Sequence, residues 1–284
     1  MPFRASGGES GAMRYHLIAP FLVFSLLSHV ALSCAENLIA TGCSVSNVAY
    51  LSGLAREYEK ETGTRISVLG GGSLRGLMDL TANRVDFAAS CKGWVPGDRD
   101  DFEFIPVAQD ALVFIVNKSN PVNNITVRRI RDIYDGKITN WKQLGGPDLM
   151  LQSFISTPEG MGGVGQSLTE MVLKGKKPVQ HSNSVMLPSS AALSEQGVEI
   201  TPGGFASTGF GSARKRNVKM LKVNGVEATK KNIMSGKYPF KRPLYLVIKK
   251  NSKPEVRKFV DFALSKKGQG LISSYGIPSL ADVK

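Results

Sequence analysis

Residues 38–89 alternate short apolar runs with amphipathic ones, and that alternation narrows the possible folds more than any other feature. Residues 38–40, 65–69 and 85–89 read as strands, and residues 48–62 and 74–83 between them read as helices. In the first helix Val48, Leu51, Leu54, Ala55 and Tyr58 share a face, and Gly63 supplies the stop. A β-α-β-α-β order implies a parallel sheet in an α/β fold. Ligands in such sheets sit outside the carboxyl ends of the strands. Three loops fall there, at residues 42–47, 70–73 and 90–94.

The stretch 110–146, DALVFIVNKSNPVNNITVRRIRDIYDGKITNWKQLGG, is the most specific in wording. Its apolar run 111–116 predicts a buried strand, and Pro121 bars a helix through the break that follows. Thr126 reads as an N-cap, with Val127, Ile130, Ile133 and Tyr134 along one helical face. Asp135-Gly136 ends that helix, and Trp141 and Leu144 begin another short apolar turn.

Residues 1–35 do not belong to the fold and read as a signal peptide. Met13-Arg14 is a positive start, 17–27 an apolar core, and Ser33-Cys34-Ala35 a small-residue cleavage site. The apolar run, about 11 residues, is short of the roughly 20 that span a bilayer. An uncleaved anchor and a lipoprotein acylated at Cys34 stay open, as does a start at Met13. Export, to the periplasm or otherwise outside the cytoplasm, is the expectation common to all three.

Residues 36–284 carry 34 basic and 22 acidic side chains, against a net +13 for the whole chain. The basic residues are dispersed rather than interleaved with aromatics on one element, which argues against nucleic acid. A positive field that gathers small anions fits better. Enzyme readings fare poorly. His181 is the one histidine after the leader, no HExxH, GxSxG or Walker pattern occurs, and three cysteines without CxxC make no zinc motif. No catalytic residue, metal or cofactor is expected.

The segment 110–146, with its Asn-Pro, its Tyr-x-Gly-Lys-Ile-x-x-Trp run and its Gly-Gly, resembles the periplasmic phosphate-binding proteins of ABC importers. The likeness extends over LIATGCSVSN, VLGGGSLRGL, VDFAAS, SGKYPFKRPLYLVIKK and GQGLISSYGIPSL, nearly the whole chain after residue 36. It implies an α/β, two-lobed periplasmic-binding-protein fold with two hinge crossings. Lobe one would hold 36–109 and 244–284, and lobe two 110–243. It also implies a monomer that captures a small inorganic anion, phosphate first, and hands it to an inner-membrane permease. Two rivals stay open: an exported interaction or sensory protein that kept the fold without phosphate binding, and a secreted phosphohydrolase.

On this resemblance the ligand site draws on Ser44, Ser46, Asn47, Ser73, Cys91 and Lys92 from the strand-end loops, and on Thr157, Gly162, Gly163 and Val164 from lobe two. Loops of small residues before helix N-termini present backbone N–H groups to anions. Ser46, Asn47 and Ser73 equally suit plain helix caps, and Lys92 a solvated charge. The family's Arg and Ser-Gly-Thr in lobe two are missing, since the window 151–165 reads LQSFISTPEGMGGVG. Losing a buried bidentate guanidinium costs on the order of 2–5 kcal/mol, so weaker binding than in relatives with the Arg is expected. Arg75 or Lys92 could compensate. Cys43 and Cys91, just past strands that neighbour each other in this fold, either form a disulfide in an oxidising compartment, worth roughly 4 kcal/mol in a chain-entropy account, or stay two small, semi-buried free thiols.

Overall fold

The computed structural model describes residues 1–2, 37–93, 99–156, 163–187 and 190–282. The leader with Cys34, and the site candidates Thr157 and Gly162, lie outside the described residues. The fold belongs to the unit Ala35–Lys284. β1 (Leu38–Gly42) feeds a long helix, α1, which runs from Ser44–Ser46 through a π turn at Asn47–Leu51 into Ser52–Thr62. β2 (Ile66–Val68), α2 (Ser73–Thr81) and β3 (Phe87–Ser90) complete the expected β-α-β-α-β unit. β1 pairs in parallel with both β2 and β3. Gly63 ends α1 in the left-handed region at φ 74°, as expected of a glycine stop.

The expected strand 111–116 is part of a much longer one. β4 runs Phe102–Asn117, sixteen residues, because polar Glu103 and Gln109 interrupt its apolar pattern without interrupting its hydrogen bonds. Through Ala111 it pairs with β11 (Lys241–Lys249), and from Leu112 it pairs with β8 (Gly204–Gly209). Between these lie β5 (Asn124–Ile125), α3 (Val127–Tyr134), β6 (Gln152–Ser156) and α4, which is Val164–Ser167 with a π turn Leu168–Val172. β7 (Ser184–Leu187) and α5 (Ala191–Ile200) precede β8; α6 (Phe210–Ala213), β9 (Val218–Met220), β10 (Lys222–Val223) and α7 (Lys230–Met234) follow it. α8 (Pro254–Leu264) and α9 (Lys266–Ser274) close the chain. The sheet order β2-β1-β3-β11-β4-β8-β6-β7 puts β11 and β4 at its centre, joining a parallel half on either side. This is the two-lobed α/β architecture.

Each half has its own aromatic core. Phe259 on α8 meets Tyr58 edge-on (centroids 5.2 Å apart) and Phe87 (5.2 Å) in one. In the other, Phe205 on β8 stacks on Phe114 (6.0 Å, 11°) and meets Tyr134 and Trp141, whose Nε1 donates to Gly203 O at 2.9 Å. Thr126 caps α3 as expected, accepting from Arg129 N at 3.2 Å. Glu195, buried on α5, accepts from Thr208 Oγ1 on β8 and from Arg216 Nε (2.9 Å), which sets that helix's orientation. Truncating Phe205, 0% exposed, leaves a cavity among three aromatic rings. Phe205→Ala should lower unfolding free energy by about 3–5 kcal/mol in urea titration; a loss under 1 kcal/mol would mean that this cluster does not hold the second half together.

Candidate functional site

Four strands of the sheet, β1, β2, β6 and β7, are each followed by a helix, and the four helix beginnings share one pocket. The first helical residues Ser44 (α1), Ser73 (α2), Val164 (α4) and Ala191 (α5) all line a single pocket with Cys43, Val45, Gly72, Ser156 and Gly163. Its cavity volume is about 10 Å³, room for about one water molecule and far below the ~300–1,000 Å³ typical of drug-sized ligands. Among the described residues none of these four helices has a side-chain cap, whereas α3, α7 and α9 each carry one. Their first N–H groups therefore lack the partner that a cap would supply, and the four dipoles point their positive ends at the same space. Two larger grooves, near Asp86 and near Arg56, lie elsewhere. The first has two ion pairs, Arg99 with Asp101 and Lys253 with Asp86, beside Lys249, which donates to Asn83. The second gathers no set of helix starts, so neither rivals the small pocket chemically.

Of the sequence candidates, Ser44, Ser73, Gly163 and Val164 line the pocket together. Ser46, Asn47, Cys91 and Lys92 do not line it. Helix α1 starts at Ser44, four residues earlier than expected, which carries Ser46 and Asn47 into its buried face rather than its start. Asn47 Nδ2 instead donates to Leu69 O at 2.7 Å, latching α1 to the end of β2. Lys92 sits, half-buried, on a turn closed by Ser90, whose Oγ donates to Lys92 O at 2.9 Å. Ser73 is no cap either: Gly72 takes that position, and Ser73 Oγ accepts from Cys91 N at 3.2 Å. Arg75 pairs with Asp79 at 2.8 Å on the outer face of α2, with 61% of its side chain exposed, so it supplies no charge to the pocket.

Cys91 lies directly behind the lining. Its Sγ is 2.7 Å from Cys43 Sγ and 3.7 Å from Ser73 Oγ, and both cysteines are buried free thiols. Burial pushes the Cys43 thiol up, but the hydrogen bond with Cys91 and the charge of Arg242 outweigh it and bring its pKa down to about 6. The Cys91 thiol is held well above the usual range by the Cys43 hydrogen bond and by burial. Gly163, at φ 78°, starts α4 where a Cβ would lie 3.3 Å from Cys91 Sγ. Only a glycine gives both that backbone and so close an approach between the two halves.

The cation missing from the lobe-two loop is supplied from elsewhere in the chain. Arg242, at the start of β11 and 4% exposed, donates through Nε (3.2 Å) and Nη2 (3.1 Å) to Asp110 Oδ2. Its Nη1 donates to Ser167 Oγ (2.8 Å) and to Gly163 O (3.4 Å). Asp110 Oδ1 accepts from Gly211 N at 3.0 Å. The guanidinium thus stands behind the α4 wall of the pocket, adding charge without lining it. The sequence held a signal for this pair, an Asp and an Arg set in otherwise apolar strands, but nothing in it said that they meet.

Residues 32–267 match the family described as the PBP superfamily domain. The chain belongs to the PBP superfamily. Among PBP-superfamily relatives, the phosphate-binding protein PstS of Borreliella burgdorferi is 28% identical over 90% of this chain and 96% of its own length. PstS of Bacillus subtilis is 24% identical over 87% and 82%. A solved structure from Clostridium perfringens, described as a phosphate ABC transporter substrate-binding protein with bound phosphate, superposes with a TM-score of 0.76 at 24% identity, covering 86% of this chain and all of that one. An ABC-type phosphate transport receptor from Vibrio cholerae gives 0.65 at 24%, with the same coverage.

Breaking a buried ion pair by removing one partner typically costs about 3–5 kcal/mol. Asp110→Asn should lose stability of that order in chemical denaturation. A change under 1 kcal/mol would show that the pair is dispensable to the centre of the sheet.

Proposed function

We propose that this PBP-superfamily chain is the extracytoplasmic solute-binding component of an ABC importer, and that it captures a small oxyanion, phosphate first, between its lobes. The observation that carries the reading is the convergence of four uncapped helix starts on one small pocket between the two halves of the sheet. Each helix terminus stabilises an anion by about 0.3–2 kcal/mol. Four of them are comparable with the ~2–5 kcal/mol that goes with one buried bidentate guanidinium, and Arg242 adds charge from behind. The relatives named phosphate-binding proteins, and the solved neighbour that holds phosphate, support the same ligand class.

Lobe one is assigned to 36–109 and 244–284, and lobe two to 110–243. The two strands that join them, β4 and β11, are the natural hinge for closure over ligand. The protein acts as a monomer after removal of the leader and docks on an inner-membrane permease. The chain is read as a carrier: among the described residues, the pocket lining offers hydroxyls, one thiol and backbone amides, and no histidine or carboxylate to serve as general base.

Calorimetry of the protein against phosphate, sulfate, molybdate and a carboxylate tests this reading. Phosphate should bind most tightly, with a Kd in the micromolar range, on the order of −8 kcal/mol. Ser44→Asp places a carboxylate at the first position of α1, where the dipole favours it, so the melting temperature should hold or rise while phosphate binding is lost. No binding by any of the four anions, or unchanged affinity in Ser44→Asp, would remove the anion-capture reading and leave that of an exported interaction protein.

A further inference from the structure

The thiol pair behind the pocket has no role in anion capture as described above. β1 and β3 are neighbouring parallel strands, in register from Ala40↔Phe87 to Gly42↔Ala89. The residues just past their ends emerge side by side, and Cys43 N donates to Ala89 O at 2.8 Å. Cys43 lines the pocket and Cys91 lies behind it, their sulfurs 2.7 Å apart with Arg242 close enough to act on both. Chance placement of two buried cysteines serves packing alone. Here one of them faces a ligand pocket, and the other touches both Ser73 and the position where a Gly163 Cβ would be.

We infer that Cys43 and Cys91 are a redox pair set in the ligand pocket: exchange with an external disulfide closes them into a single disulfide, and their oxidation state sets the pocket's affinity for anions. The pairing stands by itself, while the effect on affinity rests on the anion-capture reading.

The chemistry assigns each sulfur a part. Cys43, 3% exposed at the pocket wall, is reached when the lobes part, and its thiolate attacks one sulfur of a small-molecule disulfide RS–SR, forming Cys43–S–S–R and releasing RS⁻. Cys91 then gives up its proton to solvent and attacks the Cys43 sulfur, forming the Cys43–Cys91 bond and releasing the second RS⁻. Two protein thiols are oxidised and one external disulfide is reduced to two thiols. Cys43, with its lowered pKa, suits the attacking role, and Cys91, which keeps its proton, suits the resolving one. An oxidising compartment supplies disulfides of the required class.

The affinity change follows from charge. In the reduced protein the Cys43 thiol is held below its usual range, and when ionised it draws on the same helix dipole and the same Arg242 field that a solute anion would use. Closing the disulfide removes that charge and ties the β1–α1 and β3 loops together on one wall of the pocket. The oxidised form should therefore bind an anion more tightly than the reduced form.

Full-chain protein equilibrated with oxidised glutathione or with dithiothreitol is divided for two measurements. Alkylation under denaturing conditions with peptide mass spectrometry counts free thiols at Cys43 and Cys91, and calorimetry against inorganic phosphate gives the affinity of each form. Oxidised protein should show neither cysteine alkylated and a 43–91 linked peptide; reduced protein should show both alkylated, with phosphate affinity about tenfold or more weaker, as expected for a like charge this near. The variant C43S/C91S should bind phosphate equally in either reagent. Two alkylatable thiols, or glutathione adducts in place of the linked peptide, after oxidation would overturn the pairing. Equal phosphate affinity in the two verified wild-type forms would overturn the effect on affinity. A formed disulfide with phosphate binding in neither form would uphold the pairing and overturn anion capture together with the affinity effect.

Discussion

The ion pair between Asp110 and Arg242 sits where everything else in this molecule has to agree. Asp110 lies at the point where β4 exchanges β11 for β8 as its partner, and Arg242 stands one residue inside β11. Both are withdrawn from water, at 0% and 4% exposure. Two charges cannot be left there singly, since desolvation costs several kcal/mol per ion unless each is paired and hydrogen-bonded. The observed network meets that condition, with Asp110 also accepting from the start of α6 and Arg242 also donating to Ser167 and Gly163 of α4. A pair of this kind is weak evidence for net stability. What it does is fix one geometry: the two strands that join the lobes are held in register, and α4 is held against the pocket.

The pocket's electrostatics follow from that arrangement. Four helices bring uncapped starts to one place because β1, the segment after β2, β6 and the segment after β7 all deliver the chain to the same edge of their half-sheets. Oriented amides cost little to reorganise, so they suit a ligand that must be both held and released, and a guanidinium behind the wall strengthens the field without becoming a tight bidentate clamp. Gly163 lets the two walls come close, its α4 start lying beside Cys91 and Ser73. The thiols bring a second kind of chemistry into the same field, since a charge on Cys43 and a charge on a solute would use the same donors.

Much of the candidate site could be read from the order of residues. Small residues between a strand and a helix marked 42–47 and 70–73, and Ser44, Ser73, Gly163 and Val164 are found together at the pocket. The likeness over 110–146 points to the family on residues alone. Ser46 and Asn47 fall inside α1 rather than at its start for one local reason. Where a helix begins depends on hydrogen bonds that form only after the strands pair, and with the backbone bond from Cys43 to Ala89 in place α1 starts four residues sooner than its apolar spacing implies.

What the sequence by itself determined is the alternation of strands and helices, the parallel first half, Gly63 and Thr126 as helix boundaries, and the placing of small residues at strand ends. All of these depend on side-chain periodicity and backbone preference within a few residues, which a sequence displays directly. Only the tertiary structure decided that β4 is one strand shared by both halves, and that Arg242 meets Asp110 across 132 residues. Those contacts are set by which strands lie side by side, and strand order arises from packing of the whole sheet, not from any pattern local to the residues that touch.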